Sequence, residues 1–251
     1  MRKTYLSIIL MLLYLPIVVL ILFSFNQAKY SLQWQGFSFH WYRILMEDRS
    51  LWSALFHSVL LGTVTAIITT MIGLFSSIHC FARTRYQPRL LNTLLIMMVI
   101  IPDIVFGVAL LIFFQFMHLK LGFVSLLIAH ITFCLPFVVL TINTRLKTLD
   151  KNIYDSALDL GASHWGAVSK IMIPLLSPSI ISALLLCFTL SFDDVIVSYF
   201  IAGPDFSILP LTIFSLVRSG VTPELNALCA FTLGFSMLLV LISQYYYQRE
   251  L

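Results

Sequence analysis

Charge is what this chain has least of. Asp, Glu, Lys and Arg make up 10% of its 251 residues, against 60% hydrophobic residues. A soluble domain carries roughly a quarter charged residues, so too little polar surface is available here to cover a water-facing fold. A mean hydropathy of +0.98 points the same way. Other absences narrow the chemistry. No G-x-x-x-x-G-K-[ST] loop occurs, which excludes ATP binding and hydrolysis by the usual phosphate-cradling loop. The four cysteines, Cys80, Cys134, Cys187 and Cys229, show no C-x-x-C spacing and all fall in apolar runs. They read as small buried hydrophobes, not as a disulfide framework or a metal site. The six histidines form no H-E-x-x-H or comparable ligand pattern. Five lie at or beyond the ends of apolar runs, and His130 reads as a hydrogen-bonded residue between helices. There is no repeat of solenoid period and no low-complexity tract. Residues 1–251 are therefore expected to form one domain.

Long apolar runs are what the chain does have. Stretches of about 20 such residues span a bilayer as helices, and six are legible: Tyr5–Phe25, Leu55–Phe81, Leu91–Phe116, Phe123–Ile142, Ser179–Phe200 and Ala227–Tyr247. The first follows Arg2-Lys3. Its apolar run is too long for a signal-peptide core and no small-x-small site follows Phe25, so it is expected to be a retained first helix, with the core of the domain over 55–247. Six spans place both termini on one side. Arg2, Lys3, Arg83, Arg85, Arg89, Arg145, Lys147, Lys151, Lys170 and Arg249 fall on one face; Lys29, Arg43, Arg49, Lys120 and Arg218 fall on the other. The positive-inside rule then puts both termini in the cytoplasm. The net charge of +4 reflects this asymmetry and is no footprint of nucleic-acid binding. Between the first two spans, Tyr30, Trp34, Phe37, Phe39, Trp41, Tyr42 and Trp52 have the character of an interfacial aromatic belt, or of contacts to an external partner. Ser58, Gly62, Ala66 and Thr70, four residues apart, make a small-residue stripe that lets another helix approach closely, and Ala230 and Gly234 repeat the theme.

One polar segment, 152–178, interrupts the apolar pattern on the cytoplasmic side. Asn152 or Asp155 can cap a short helix, Gly161 can end it in a left-handed turn, Ser163 can cap a second, and Pro174 is expected to stop that one. Asp155-Ser156-Ala157, three residues, Gly161, nine residues, then Ile171-Met172-Ile173-Pro174 resembles the Glu-Ala-Ala, x3, Gly, x9, Ile-x-Leu-Pro loop of ABC-importer permease subunits. Asp155 stands for Glu, Ser156 for Ala and Ile173 for Leu; spacing, glycine and proline match. The resemblance implies that this loop is the point at which a separate ATPase subunit couples to the membrane domain.

Three carboxylates lie inside the apolar runs. Asp103 follows Pro102 in the third run, and Asp193 and Asp194 lie in the outer half of the fifth. A charge at mid-bilayer costs about 2.5–3.5 kcal/mol on insertion scales, so such groups face a cavity or a partner. If the fifth run is one helix, Asp194 stacks with Ser191 and Ser198, and Asp193 with Thr189; Asp194 is then the one expected to face a polar seam. No Lys or Arg lies in these runs, and a cationic solute could balance the charge. Helix packing or an interfacial position would also account for the three.

The segments Ile101-Pro102-Asp103-Ile104-Val105, Leu121 to Val139, Leu190 to Ser198, Ile208 to Arg218 and Pro223 to Ala227 resemble the permease subunits of spermidine/putrescine importers, so that the likeness covers nearly the whole chain. It implies an all-α membrane fold of the type I ABC importer permease class, placed in a bacterial inner membrane and surrounded by membrane lipid. The implied partners are a second homologous permease subunit, two ATP-binding subunits that carry ATP and Mg, and a periplasmic polyamine-binding protein. The chain itself would be a transport subunit without enzymatic activity or a cofactor of its own, with Asp103, Asp193 and Asp194 on the substrate path. A permease for another small solute, such as iron, thiamine or a sugar, is the nearest alternative. A self-sufficient channel would also use membrane carboxylates but has no need of a coupling loop, and no paired nucleophile and base suggests an intramembrane enzyme.

Overall fold

The computed structural model describes residues 2–28, 33–84, 89–150, 152–220, 222–234 and 237. Among them the regular structure is helical, apart from one isolated bridge between Asn26 and Phe37. In order, the helices are α1 (Arg2–Phe23), α2 (His40–Glu47), α3 (Arg49–Thr84), α4 (Arg89–Ile100), α5 (Asp103–Phe116), α6 (Phe123–Leu146), α7 (Asn152–Asp159), α8 (His164–Ala167), α9 (Ile173–Phe192), α10 (Ile196–Ile201) and α11 (Leu209–Ser219). A further helix is described over 223–234. Among the described residues four helical stretches are long and apolar enough to cross a membrane: Tyr5–Phe23, Arg49–Ala82, Phe123–Leu146 and His164–Phe192. They become five if α4 and α5 count as one bent span. The sixth expected span, Ala227–Tyr247, lies mostly outside the described residues.

Two expected spans are not continuous helices. The third bends by 105° between α4 and α5. Pro102 supplies the reason: it has no N–H to donate, and its ring disfavours helical backbone at Ile101. The fifth stops at Phe192 and resumes at Ile196. There Asp194 captures backbone N–H groups with its side chain, offering the chain an alternative to the helical ladder. Asp103 therefore opens a helix, and Asp193 caps the C-terminus of another.

The residues form two compact units, Met1–Ser53 with Thr212–Leu251, and Ala54–Leu211. In the first, none of the apolar window of α1 is buried within the chain; a helix that is apolar and bare on every side is stable only in an apolar medium. Beyond its end, Phe25 stacks on Phe37 at 5.0 Å and meets Phe39 and Tyr42 at 5.5 and 5.1 Å. Asn26 ties the return of the chain, donating to the Gln33 carbonyl at 2.7 Å and accepting from the Gln35 N–H at 2.9 Å. Tyr30 lies outside the described residues.

In the second unit, α3, α6 and α9 pack through Ala66, Leu74, Ile78, Cys134, Val138, Ile142, Ala183 and Cys187. Small residues set the approach. A Cβ on Gly62 would lie 3.2 Å from the Phe188 ring, and one on Gly73 would lie 2.6 Å from Val138 Cγ1. A second cluster gathers Leu61, Phe114, Leu126, Ala129, Val197, Ile201 and Ile208 around α10. Gly107 of α5 lets α10 sit close, since a Cβ there would meet Val197 Cα at 3.3 Å.

Candidate functional site

Both breaks open onto one space. Asp103, Asp193 and Asp194, with Phe133, Thr189 and Leu190, line an open cavity of about 340 Å³. The three carboxylates singled out in the sequence are thus brought together, although their environments differ. Asp103 and Asp193 are exposed on the isolated chain, and their carboxylates have no hydrogen bond or ion pair among the described residues. Asp194 is buried and fully engaged. Its Oδ1 accepts from the Val197 N–H at 3.3 Å, and its Oδ2 accepts from the Ser198 N–H at 2.7 Å and the Ser198 hydroxyl at 2.8 Å. His130 Nε2 lies 3.6 Å from the same oxygen. Asp194 does join Ser198, as helical spacing anticipates, but the seam they form is closed inside the helices. Of the two neighbours on the cavity beside Thr189, Asp193 is the one whose carboxylate is exposed and Asp194 the one whose carboxylate is engaged. Asp194 thus faces a polar seam with Ser198 and His130, but across a helix break that the stacking argument did not contain.

The polar segment is the second candidate region. At the start of its first helix, α7, Asp150 Oδ1 accepts from the Asn152 N–H at 2.9 Å; the residue that precedes the helix, Lys151, lies outside the described residues. Asp155 sits in the first turn, Ser156 is exposed, and Ala157 is buried against the packed helices. The end of α7 is a paired turn: the Gly161 N–H donates to the Leu158 carbonyl at 2.9 Å and the Ala162 N–H to the Ala157 carbonyl at 3.0 Å. This Schellman arrangement requires a left-handed residue, and Gly161 has φ +86°. Ser163 then caps α8, accepting from the Gly166 N–H at 3.1 Å. Tyr154 and His164 lock the two helices with a 3.0 Å contact between Tyr154 Oη and His164 Nδ1.

Pro174 does not end the second helix. His164–Phe192 is helical throughout, and Pro174 lies in the first turn of α9 behind a π-helical turn over Val168–Met172 that contains Ile171. The wider turn makes room for the proline ring, which would otherwise meet the carbonyl four residues back. From His164 on, the polar segment is therefore continuous with the helical stretch that ends at Phe192. At its tip Leu160 and Trp165 are 89% and 65% exposed. Two large apolar side chains flanking a glycine turn in a polar loop are the signal that spacing alone overlooked.

Residues 69–250 match the family of binding-protein-dependent transport system inner membrane components. The chain belongs to this family. The permease is 42% identical over 245 residues to the spermidine/putrescine transport system permease protein PotC of Escherichia coli K12, covering 97% of this chain and 92% of that protein. It is 35% identical over 239 residues to the putrescine transport system permease protein PotI of the same organism, covering 88% and 82%. In fold, it resembles a chain of a bacterial ABC transporter involved in the import of the acidic polysaccharide alginate, with a TM-score of 0.72 at 16% identity, over 98% of this permease and 95% of that chain.

Proposed function

We propose that this chain is the polyamine-conducting permease subunit of an ATP-driven importer in the bacterial inner membrane. It pairs with a second homologous permease subunit. Two ATP-binding subunits dock on the segment containing Asp155, Ser156, Ala157, Gly161, Ile171 and Pro174, and a periplasmic polyamine-binding protein delivers spermidine or putrescine from the other side. The chain crosses the membrane six times as one permease domain, with both termini in the cytoplasm.

The observation that supports this reading most is the grouping of Asp103, Asp193 and Asp194 around one cavity at two helix breaks. A polyamine carries several ammonium groups, and each loses hydration on entering a low-dielectric path. Asp103 and Asp193, whose carboxylates have no partner among the described residues, offer the compensating charge, and the Phe133 ring beside them offers a π-face to the same cation. Mechanical coupling follows from continuity. Closure of the ATPases on ATP moves α7 and α8; because α8 runs through the π-turn into α9, the motion reaches the Asp193 break without passing through a loop.

Uptake of labelled spermidine and putrescine, measured in cells that carry or lack this chain, tests the proposal. Restoration of uptake by the chain is expected. Equal uptake in both strains, or restoration by a Gly161→Val variant that no longer associates with the ATPase, would reject it.

A further inference from the structure

The cut in the fifth helical run is bridged by a single imidazole. His130 of α6 is 1% exposed. Its Nδ1 lies 2.7 Å from Ser191 Oγ, in the last turn of α9, and its Nε2 lies 3.0 Å from Ser198 Oγ, in α10. One side chain thus holds both sides of the break at Asp193–Val195. The directions of these bonds follow from counting protons. The Ser198 hydroxyl has one hydrogen and gives it to Asp194 Oδ2. It must therefore accept from His130 Nε2–H. The chain of bonds runs from His130 through Ser198 to Asp194, and Asp194 in turn holds the Val197 and Ser198 N–H groups that begin α10.

Two consecutive residues of an unbroken helix point about 100° apart, and neither orientation is then fixed relative to the cavity. With the break clasped, the outcome is definite: the Asp194 carboxylate is drawn inward onto α10 and the Asp193 carboxylate is left exposed on the cavity wall. We infer that His130 is the positioning residue of this cavity, clamping α9 to α10 so that the Asp194 carboxylate is held on α10 and the Asp193 carboxylate stays free to present its charge. The consequence for transport rests on the proposal that the cavity belongs to the solute path; the orientation itself does not.

The test uses the complete transporter, reconstituted with its binding protein. In a background with Cys80, Cys134, Cys187 and Cys229 replaced by alanine, D193C is labelled by a cationic methanethiosulfonate in the presence of His130, H130L, H130Q or H130N. Glutamine places an N–H near the position of Nε2 and can reach Ser198, whereas asparagine reaches only toward Ser191. H130L and H130N are expected to slow labelling of D193C severalfold, and H130Q to restore most of it. In the parallel series that retains Asp193, H130L should lower maximal uptake about tenfold, the size of effect expected from losing one or two buried hydrogen bonds. ATPase stimulation by the loaded binding protein should stay within about twofold of parental; failed assembly lowers uptake and stimulation together. Labelling of D193C at the parental rate in H130L overturns the inference. If H130L does not assemble, equal labelling in H130Q and H130N overturns it instead. Slowed labelling with parental uptake upholds the clamp and rejects the solute path.

Discussion

Asp193 and Asp194 are adjacent in the chain, yet different measurements should detect their loss. Removing the Asp194 side chain leaves two N–H groups and a hydroxyl buried without an acceptor. Each orphaned group costs on the order of 1–3 kcal/mol. Asp194→Ala should therefore lower the thermal stability and yield of the complex, with uptake falling in proportion to yield. Asp193→Asn keeps size and polarity and removes a charge that has no partner among the described residues. Yield should be unchanged and polyamine uptake should drop at least severalfold, with Asp103→Asn behaving in the same way. Uptake per assembled complex separates the two cases; parental uptake in both Asp193→Asn and Asp103→Asn would show that these carboxylates do not balance the cargo. The residue types were legible from the sequence, because three acids in apolar runs are conspicuous. Their orientation was not, because it depends on His130, which is 61 positions away from Ser191 and 68 from Ser198.

Helix ends carry the next set of consequences. A Cβ on Gly161 would meet nothing within 4 Å, so substitution there costs only the left-handed backbone. Asparagine tolerates that conformation and a β-branched residue does not. Gly161→Asn should consequently retain ATPase coupling, whereas Gly161→Val should lose about 1–2 kcal/mol of local stability and most of the stimulated hydrolysis. Equal coupling in both variants would mean that the turn at Gly161 does not shape the docking surface. Gly203 is the opposite case. A Cβ there would collide with the Leu121 carbonyl and the Gly122 nitrogen, which are backbone and cannot move aside. Gly203→Ala should cost about 1–3 kcal/mol, measured as a fall in the melting temperature of the complex. The Gly161 turn and the Ser163 cap could be anticipated because a local hydrogen-bond pattern specifies them. The two broken spans and the passage of the helix through Pro174 could not. Hydropathy counts apolar residues and is indifferent to a Pro102 or an Asp194 that interrupts the ladder, and a proline reads as a stop unless the preceding turn widens.

Within the unit Ala54–Leu211, the helices have two distinct ends. The 24 residues of α6 extend about 36 Å, enough to cross the hydrocarbon core of about 30 Å. Lys120 lies just before one end, where Gly203 packs on Leu121 and His57 stacks on Phe206 at 4.3 Å. Arg145 and Lys147 lie at the other, where α7 begins a few residues on and Trp165 stacks on Phe75 at 6.2 Å. Arg145, Lys147 and Lys170 therefore share the end that carries the coupling segment, and Lys120 sits at the opposite one. On the proposed topology that end is cytoplasmic, as the distribution of basic residues favours, and is the side where ATP is available. Single cysteines at Lys147 and Lys170 should react with a membrane-impermeant maleimide only in inside-out vesicles, and a cysteine at Lys120 only in intact spheroplasts. Reaction of the Lys170 position from outside would turn the molecule over, place Leu160 and Trp165 in the periplasm, and leave the segment with no ATPase to meet. With the expected pattern, the cavity at Asp103 and Asp193 lies between a cytoplasmic motor surface and a periplasmic delivery surface, joined to the former by the continuous helix His164–Phe192. A lever of that length transmits a shift at its coupling end to the Asp193 break only while the helix stays intact. Two adjacent glycines introduced at Leu184 and Leu185, away from both ends, should therefore uncouple ATP hydrolysis from uptake while leaving each subunit bound.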